Sequence, residues 1–353
     1  MSRVRPFVPG DIPDVAALRS RSFEFSTHQD SVSLAAYFAD VFFDGPWNDG
    51  GSPSLVYLND EGRIAGFLGV VHRPATFRGE RIRIAVCTQF MVDPEHRGLA
   101  GVQLVRRLFE GNHDLSFADV ANDTSRALWE RLGGSTAAVN SLTWTQTIRP
   151  MRFRIADANY SIVSRGIAWS LRPLFEFIDS MRSPWPNPEG LDTVPLTPEM
   201  MADKLPEVLS STALLPVYSA ESARWLLDQL ALKRERGAAR GVAVVDRGGT
   251  TIGWYIYLAN RRGVGDVVQV VAAEGQHAAV LAALFHDARA QGLTALEGRA
   301  SFGIVAALDP ELARVRRQGP WVLAQSRRPE IVDAITSGDA LLSRLEGEWW
   351  MSF

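Results

Sequence analysis

The stretch Ala85-Val86-Cys87-Thr88-Gln89-Phe90-Met91-Val92-Asp93-Pro94-Glu95-His96-Arg97-Gly98-Leu99-Ala100-Gly101 decides how this chain is read. Its first half, up to Val92, is the nearly continuous apolar run of a buried strand. The residues that follow, Val102-Gln103-Leu104-Val105-Arg106-Arg107-Leu108-Phe109, space their apolar side chains as one face of a helix. A strand, a short loop and a helix N-terminus make an anion cradle. The first N–H groups of a helix have no intrahelical acceptor, and the helix dipole favours negative charge beside them. Gly98 and Gly101 carry no Cβ, so the backbone can curl and approach a ligand closely. Arg97 adds a fork of donors suited to phosphate.

Outward from this stretch the elements follow in a readable order. Val4-Arg5-Pro6-Phe7 is a first strand leading into a capped helix from Asp11 to Leu18. Leu55–Leu58 and Ile64–Val71 flank the turn Asn59-Asp60-Glu61-Gly62, the signature of a hairpin. Leu115–Val120 is a further strand. Asn122-Asp123-Thr124-Ser125-Arg126-Ala127-Leu128-Trp129-Glu130-Arg131-Leu132-Gly133-Gly134 reads as a short helix with Asn122 in a capping position.

The ordered set over roughly the first 150 residues resembles the GNAT acyltransferase superfamily. The family's pyrophosphate motif is Arg or Gln, two residues, Gly, one residue, then Gly or Ala. Here Arg97 takes the first position, Ala100 stands for the first Gly and Val102 for the last, so the match departs from the pattern at two places. The resemblance implies that Gly98, Leu99, Ala100, Gly101 and Val102 hold the pyrophosphate of an acyl-CoA with Arg97. It implies that the pantetheine pairs along Phe90, Met91 and Val92 like an added strand. Asn122, Ser125 and Trp129 on the late helix are the remaining expected cofactor contacts.

The resemblance also implies direct attack of an amine on the thioester, and here the usual parts are incomplete. The family's Tyr, which protonates the leaving thiolate, is replaced by Trp129, whose indole N–H has no usable acidity. The family's strand Glu is absent, since Thr88 and Gln89 are not bases at neutral pH. Gln89, as an orienting group, is one catalytic candidate. His28 is a second, in the segment with Glu24 and Asp30 that lines the acceptor pocket in this superfamily, with an unperturbed pKa of about 6.5. Asp119 is a third. The terminal Phe353 carboxylate serves as base in some relatives; its plain alternative is an edge strand packed into the second unit.

At 353 residues the chain is long for one core, and two domains are expected. The formal net charge of −3 shows no nucleic-acid footprint. The single cysteine, Cys87, excludes an internal disulfide and reads as a buried structural thiol. No metal-ligand spacing is present among the histidines, and no apolar run approaches a membrane span. Cytoplasmic residence is the default expectation, and the oligomeric state stays open.

The second half repeats the first. After an amphipathic connector and a Pro-rich linker, 151–190, come a helix from Ala220, a second hairpin around Arg247-Gly248-Gly249-Thr250, a strand Asp266–Val271 and a helix Gln276–Ala290. A strand at Ala295–Arg299 and a late one at Trp321–Ala324 complete it. The loop between strand and helix keeps only Gly275, and Glu274 would repel a pyrophosphate. The expectation is therefore an α/β (α+β) protein of two tandem GNAT-like units, each a mixed, mostly antiparallel sheet flanked by helices. The first, 1–150, binds acyl-CoA, and the second, 191–353, is degenerate. Such tandem pairs resemble bacterial acyltransferases. The function implied is an acyl-CoA-dependent N-acyltransferase, with acetyl-CoA the expected donor, acting on a primary amine of a small molecule or amino sugar. A FemA/FemX-like aminoacyl transferase of cell-wall assembly and a non-catalytic acyl-CoA-binding protein are the alternatives.

Overall fold

The computed structural model describes residues 3–22, 31–48, 54–96, 98–157, 185–186, 188–260, 263–317 and 319–351. Its strands, in chain order, begin with β1 (Val4–Pro6), β2 (Leu55–Leu58), β3 (Ile64–Phe77), β4 (Glu80–Val92), β5 (Leu115–Ala121), β6 (Ser135–Thr136) and β7 (Thr143–Thr147). They continue with β8 (Leu191–Pro195), β9 (Leu214–Pro216), β10 (Ala238–Asp246), β11 (Thr251–Ala259), β12 (Val264–Ala272), β13 (Ala295–Arg299), β14 (Ala313–Arg316) and β15 (Trp321–Gln325). The helices used below are α1 (Ile12–Ser22), α2 (Ser31–Ala39), α3 (Leu99–Phe109), α4 (Asp123–Arg131), α5 (Pro150–Asp157), α6 (Pro198–Val208), α7 (Ala220–Leu232), α8 (His277–Ala290), α9 (Phe302–Ala307) and α10 (Pro329–Ser337).

The chain divides into two compact units that are not contiguous in sequence. The first holds Met1–Ser141, Thr212–Ser222 and Pro320–Phe353; the second holds Leu142–Ser211 and Ala223–Gly319. In the first unit the strands lie in the order β1-β2-β3-β4-β5-β15-β6, with β9 added on β3. Every neighbour pair is antiparallel except β4 with β5. Alternation along the strands sends side chains to two faces. Tyr57, Ala85 and Cys87 pack with Leu104, Val105 and Leu108 of α3. Val56, Phe67 and Met91 pack on the other face with Val15 and Leu18 of α1 and Phe38 of α2. Both faces are covered, which is why β2 and β4 read as continuous apolar runs rather than as alternating ones.

The second unit repeats this succession as β8-β10-β11-β12-β13-β7-β14. Its single parallel pair is β12 with β13, and α8 supplies Val280, Leu281 and Leu284 to its core. In both sheets the strand next to the parallel pair comes from the far part of the chain. Trp321–Gln325 fills that place in the first unit, and Thr143–Thr147 fills it in the second. This corrects the spans read from the sequence. The strand at Trp321–Ala324 and the chain's last turn, Trp349–Met351, were expected in the second unit and belong to the first. Hydrophobic pattern marks a residue as strand but says nothing about which sheet edge receives it. Of the connector expected at 151–190, helix α5 is described, whereas 158–184 lie outside the described residues. Among the described residues no helix is long and apolar enough to cross a membrane.

Candidate acyl-transfer site

The site is set by where β4 and β5 stop pairing. Their parallel register runs from Ile84↔Leu115 to Val86↔Phe117 and ends there, although β4 continues to Val92 and β5 to Ala121. Beyond Val86 one edge of β4 therefore faces a widening gap. A bulge bends β4 in the same place. The pairing with β3 skips from Gly69↔Thr88 to Phe67↔Met91, and Gln89 takes a φ of 50°, a left-handed conformation uncommon for a side chain of this type. Gly69 lies opposite, where an added Cβ would stand 2.8 Å from the Thr88 carbonyl oxygen. The Thr88 hydroxyl is buried and has no hydrogen-bond partner among the described residues.

After β4 the chain makes a short turn at Pro94–His96 and enters α3 through Gly98. Gly98 has φ 100° and open space around its Cα, so glycine is required by the backbone. The Val102 N–H donates to the Gly98 carbonyl at 3.0 Å. That removes Val102 from the expected donors and leaves the N–H groups of Leu99, Ala100 and Gly101, which have no acceptor four residues back within the helix. At Gly101 an added Cβ would meet Phe90 at 3.4 Å and Leu128 at 3.6 Å, ordinary packing distances, so this position does not demand glycine as Gly98 does. Phe90 and Val92 pack toward α3, whereas the Met91 side chain is buried on the α1/α2 face, so Met91 can offer only its backbone. Arg97 and His28 lie outside the described residues, as do Glu24, Asp30 and Phe353.

The late helix is used for packing and capping. The Asn122 side chain accepts from the Ser125 N–H at 2.8 Å, which engages both residues in the α4 cap. Trp129 is buried, with its ring edge-on to Phe109 at 5.0 Å in the core beneath α3. Cys87 is buried as expected, and burial pushes its thiol well up, which suits a structural thiol rather than a nucleophile.

The residues that sequence reasoning did not bring here are Arg19 of α1, Tyr37 of α2 and Glu348 from the far end of the chain. The segment Gly347–Met351 is hydrogen-bonded to both strands at the level where they part. On the β5 side, the Glu348 N–H donates to Asp119 at 2.5 Å, and the Glu348 carboxylate accepts the Val120 N–H at 3.2 Å. On the β4 side, Gln89 Nε2 donates to the Met351 carbonyl at 3.4 Å, and the Tyr37 hydroxyl donates to the same oxygen at 2.6 Å. Arg19 Nε donates to Gln89 Oε1 at 3.1 Å. Asp119 is fully buried and would collide with any side chain at position 347, so this catalytic candidate serves the backbone of the tail. Gln89 likewise holds Arg19 and the tail. Desolvation keeps the Tyr37 phenol protonated far above its usual range. No short sequence motif links Arg19, Tyr37 and Glu348, because they meet only through tertiary structure.

The corresponding place in the second unit is the N-terminus of α8. There the first residue of α8, His277, lies against Gly303 of α9, where an added Cβ would come within 2.3 Å of the imidazole.

Comparison with known proteins agrees with this geometry. Residues 13–134 match the model of the Acetyltransferase (GNAT) family. No curated protein matches the sequence significantly. In fold the chain is similar to a GCN5-related N-acetyltransferase from Kribbella flavida, with 16% identity and a TM-score of 0.56 over 91% of this chain and 70% of that one. It is similar to a conserved protein of unknown function from Enterococcus faecalis V583, titled a probable N-acyltransferase, with 12% identity and a TM-score of 0.58 over 92% and 73% of the two chains. A GCN5-related N-acetyltransferase from Anabaena variabilis ATCC 29413 shows 14% identity and a TM-score of 0.55 over 91% and 71%.

Proposed function

Because the chain carries a GNAT acetyltransferase domain at residues 13–134, we propose that it takes an acyl group from acetyl-CoA or another acyl-CoA and passes it to a primary amine of a small molecule or amino sugar. The observation that supports this most directly is the end of β4/β5 pairing at Val86 and Phe117, on the strand that leads into the N-terminus of α3. An acyl-CoA contributes an acyl group already activated as a thioester. The backbone along Phe90–Val92 would hold the pantetheine as an added strand. The N–H groups of Leu99, Ala100 and Gly101 would hold the pyrophosphate.

The acceptor amine must lose a proton to attack. Glu348 is the carboxylate held at the parting of the strands, and we assign it the role of general base, with Asp119 as the residue that positions it. The buried Thr88 hydroxyl is a donor in the same bend of β4. Trp129 donates no proton to a thiolate, so in this reading the thiolate leaves without the family's usual acid. The second unit completes the fold and takes no acyl-CoA, since its loop keeps only Gly275 and carries Glu274, which would repel a pyrophosphate.

The test is to incubate the purified chain with acetyl-CoA and a panel of primary amines and to follow free thiol. Amine-dependent thiol release supports the reading. Calorimetric titration that detects no binding of acetyl-CoA or of a longer acyl-CoA overturns it.

A further inference from the structure

The first unit holds a cavity of about 570 Å³ that the acyl-transfer reading does not use. It is walled by Trp47, Pro74 and Ile82 and by the arginines Arg73, Arg81 and Arg83. A volume of this order is typical of small-molecule sites. Among the described lining residues, Asp114 is the single acid, and its carboxylate already accepts the Arg83 backbone N–H at 2.8 Å.

Arg73 is the unusual member. Its residue is 3% exposed. Nη1 donates to the Leu345 carbonyl at 2.6 Å, and the guanidinium lies over the Trp47 ring at 4.6 Å. Nη2 is buried and has no hydrogen-bond partner among the described residues. The buried carboxylate of the same tail segment, Glu346, is already engaged by the Tyr218 hydroxyl and by the Ser343 N–H and hydroxyl. A carbonyl and an aromatic face stabilise a guanidinium but do not neutralise it. A buried cation with an open donor is costly unless an anion meets it.

We propose that this cavity binds the carboxylate of a small organic acid, with Arg73 Nη2 donating to it and Trp47 packing on its apolar body. A single open Nη and a wall of Trp47, Pro74 and Ile82 suit a monoanion with an apolar body better than a phosphate dianion. Arg81, exposed at the rim, attracts the anion from solvent. The proposal is independent of the acyl-transfer reading.

The test uses the full-length chain and three probes, sodium benzoate, acetate and inorganic phosphate, titrated calorimetrically at low salt. Benzoate binds at one site per chain and more tightly than acetate. Arg81→Glu weakens it by about tenfold or more while leaving acetyl-CoA affinity unchanged, and Arg73→Gln abolishes it. Should Arg73→Gln fail to fold, the Arg81→Glu comparison decides alone. Absence of benzoate binding, equal affinity in Arg81→Glu, binding of phosphate without benzoate, or displacement of benzoate by acetyl-CoA would each overturn the proposal.

Discussion

Glu348 and His113 show how single side chains in this protein take their properties from residues remote in sequence. Glu348 is fixed by the Val120 N–H and by Asp119, which binds its backbone. If it is the general base, Glu348→Gln keeps the hydrogen bond to Val120 but loses proton acceptance. The expected result is a fall in kcat/KM of about 10²-fold or more, with unchanged acyl-CoA affinity. Activity should partly recover at alkaline pH, where the amine deprotonates without help. A parallel fall at every pH would point to a structural role instead. His113 donates or accepts at Ser116 Oγ, 2.7 Å away. Burial, then His72 and Arg327, push its pKa from 6.5 down to about 4. Between those values the unfolded chain binds a proton that the folded chain refuses. Stability is therefore full above about pH 6.5 and declines as pH falls toward 4, by up to about 3 kcal/mol. Urea midpoints measured across that window should show the decline, and His113→Asn should flatten it.

At the level of elements, the strand-loop-helix from β4 to α3 turns on one obligatory glycine. Gly98 supplies a positive φ at the helix entrance, whereas Gly101, buried against Phe90 and Leu128, would accommodate a Cβ at ordinary contact distance. Replacing Gly98 would strain the backbone as well as alter the cradle, so it is a poor probe. Leu99 is a better one, being 58% exposed at the first position of α3. A glutamate there is favourable to the helix dipole by about 0.3–1 kcal/mol, so the fold should persist. The same carboxylate opposes a bound pyrophosphate. Leu99→Glu is expected to weaken acetyl-CoA binding by about tenfold or more with an unchanged melting temperature. Calorimetry beside a thermal melt checks both halves, and unchanged affinity would make the loop merely structural. The sequence made this element visible because a buried strand, a Gly-containing loop and an amphipathic helix are local patterns. The Asn122 cap was legible for the same reason. The bulge at Gln89 was not, since it depends on how β4 meets β3.

For the whole molecule, the decisive feature is the exchange of strands. The first sheet lacks a strand between β5 and β6 until Trp321–Gln325 arrives, and β9 on β3 also comes from later in the chain. Residues 1–141 expressed alone would expose the β5 edge and lose Leu323, which is fully buried in the first core. Such a fragment is expected to show no cooperative urea unfolding, whereas the full chain does. Cooperative unfolding of the fragment would mean that β1–β6 suffice.

The sequence by itself determined the elements around β4 and α3, the two hairpins, the helices Asp123–Arg131 and His277–Ala290 and the family resemblance, because each rests on residues close together in the chain. The tertiary structure alone decided which sheet receives β7 and β15, that Asp119 and Gln89 hold a tail rather than stand free, and that Glu348 and Arg73 occupy their present surroundings. Strand pairing is satisfied by any edge of suitable pattern, so pairing partners are selected by the geometry of the whole chain and not by local composition.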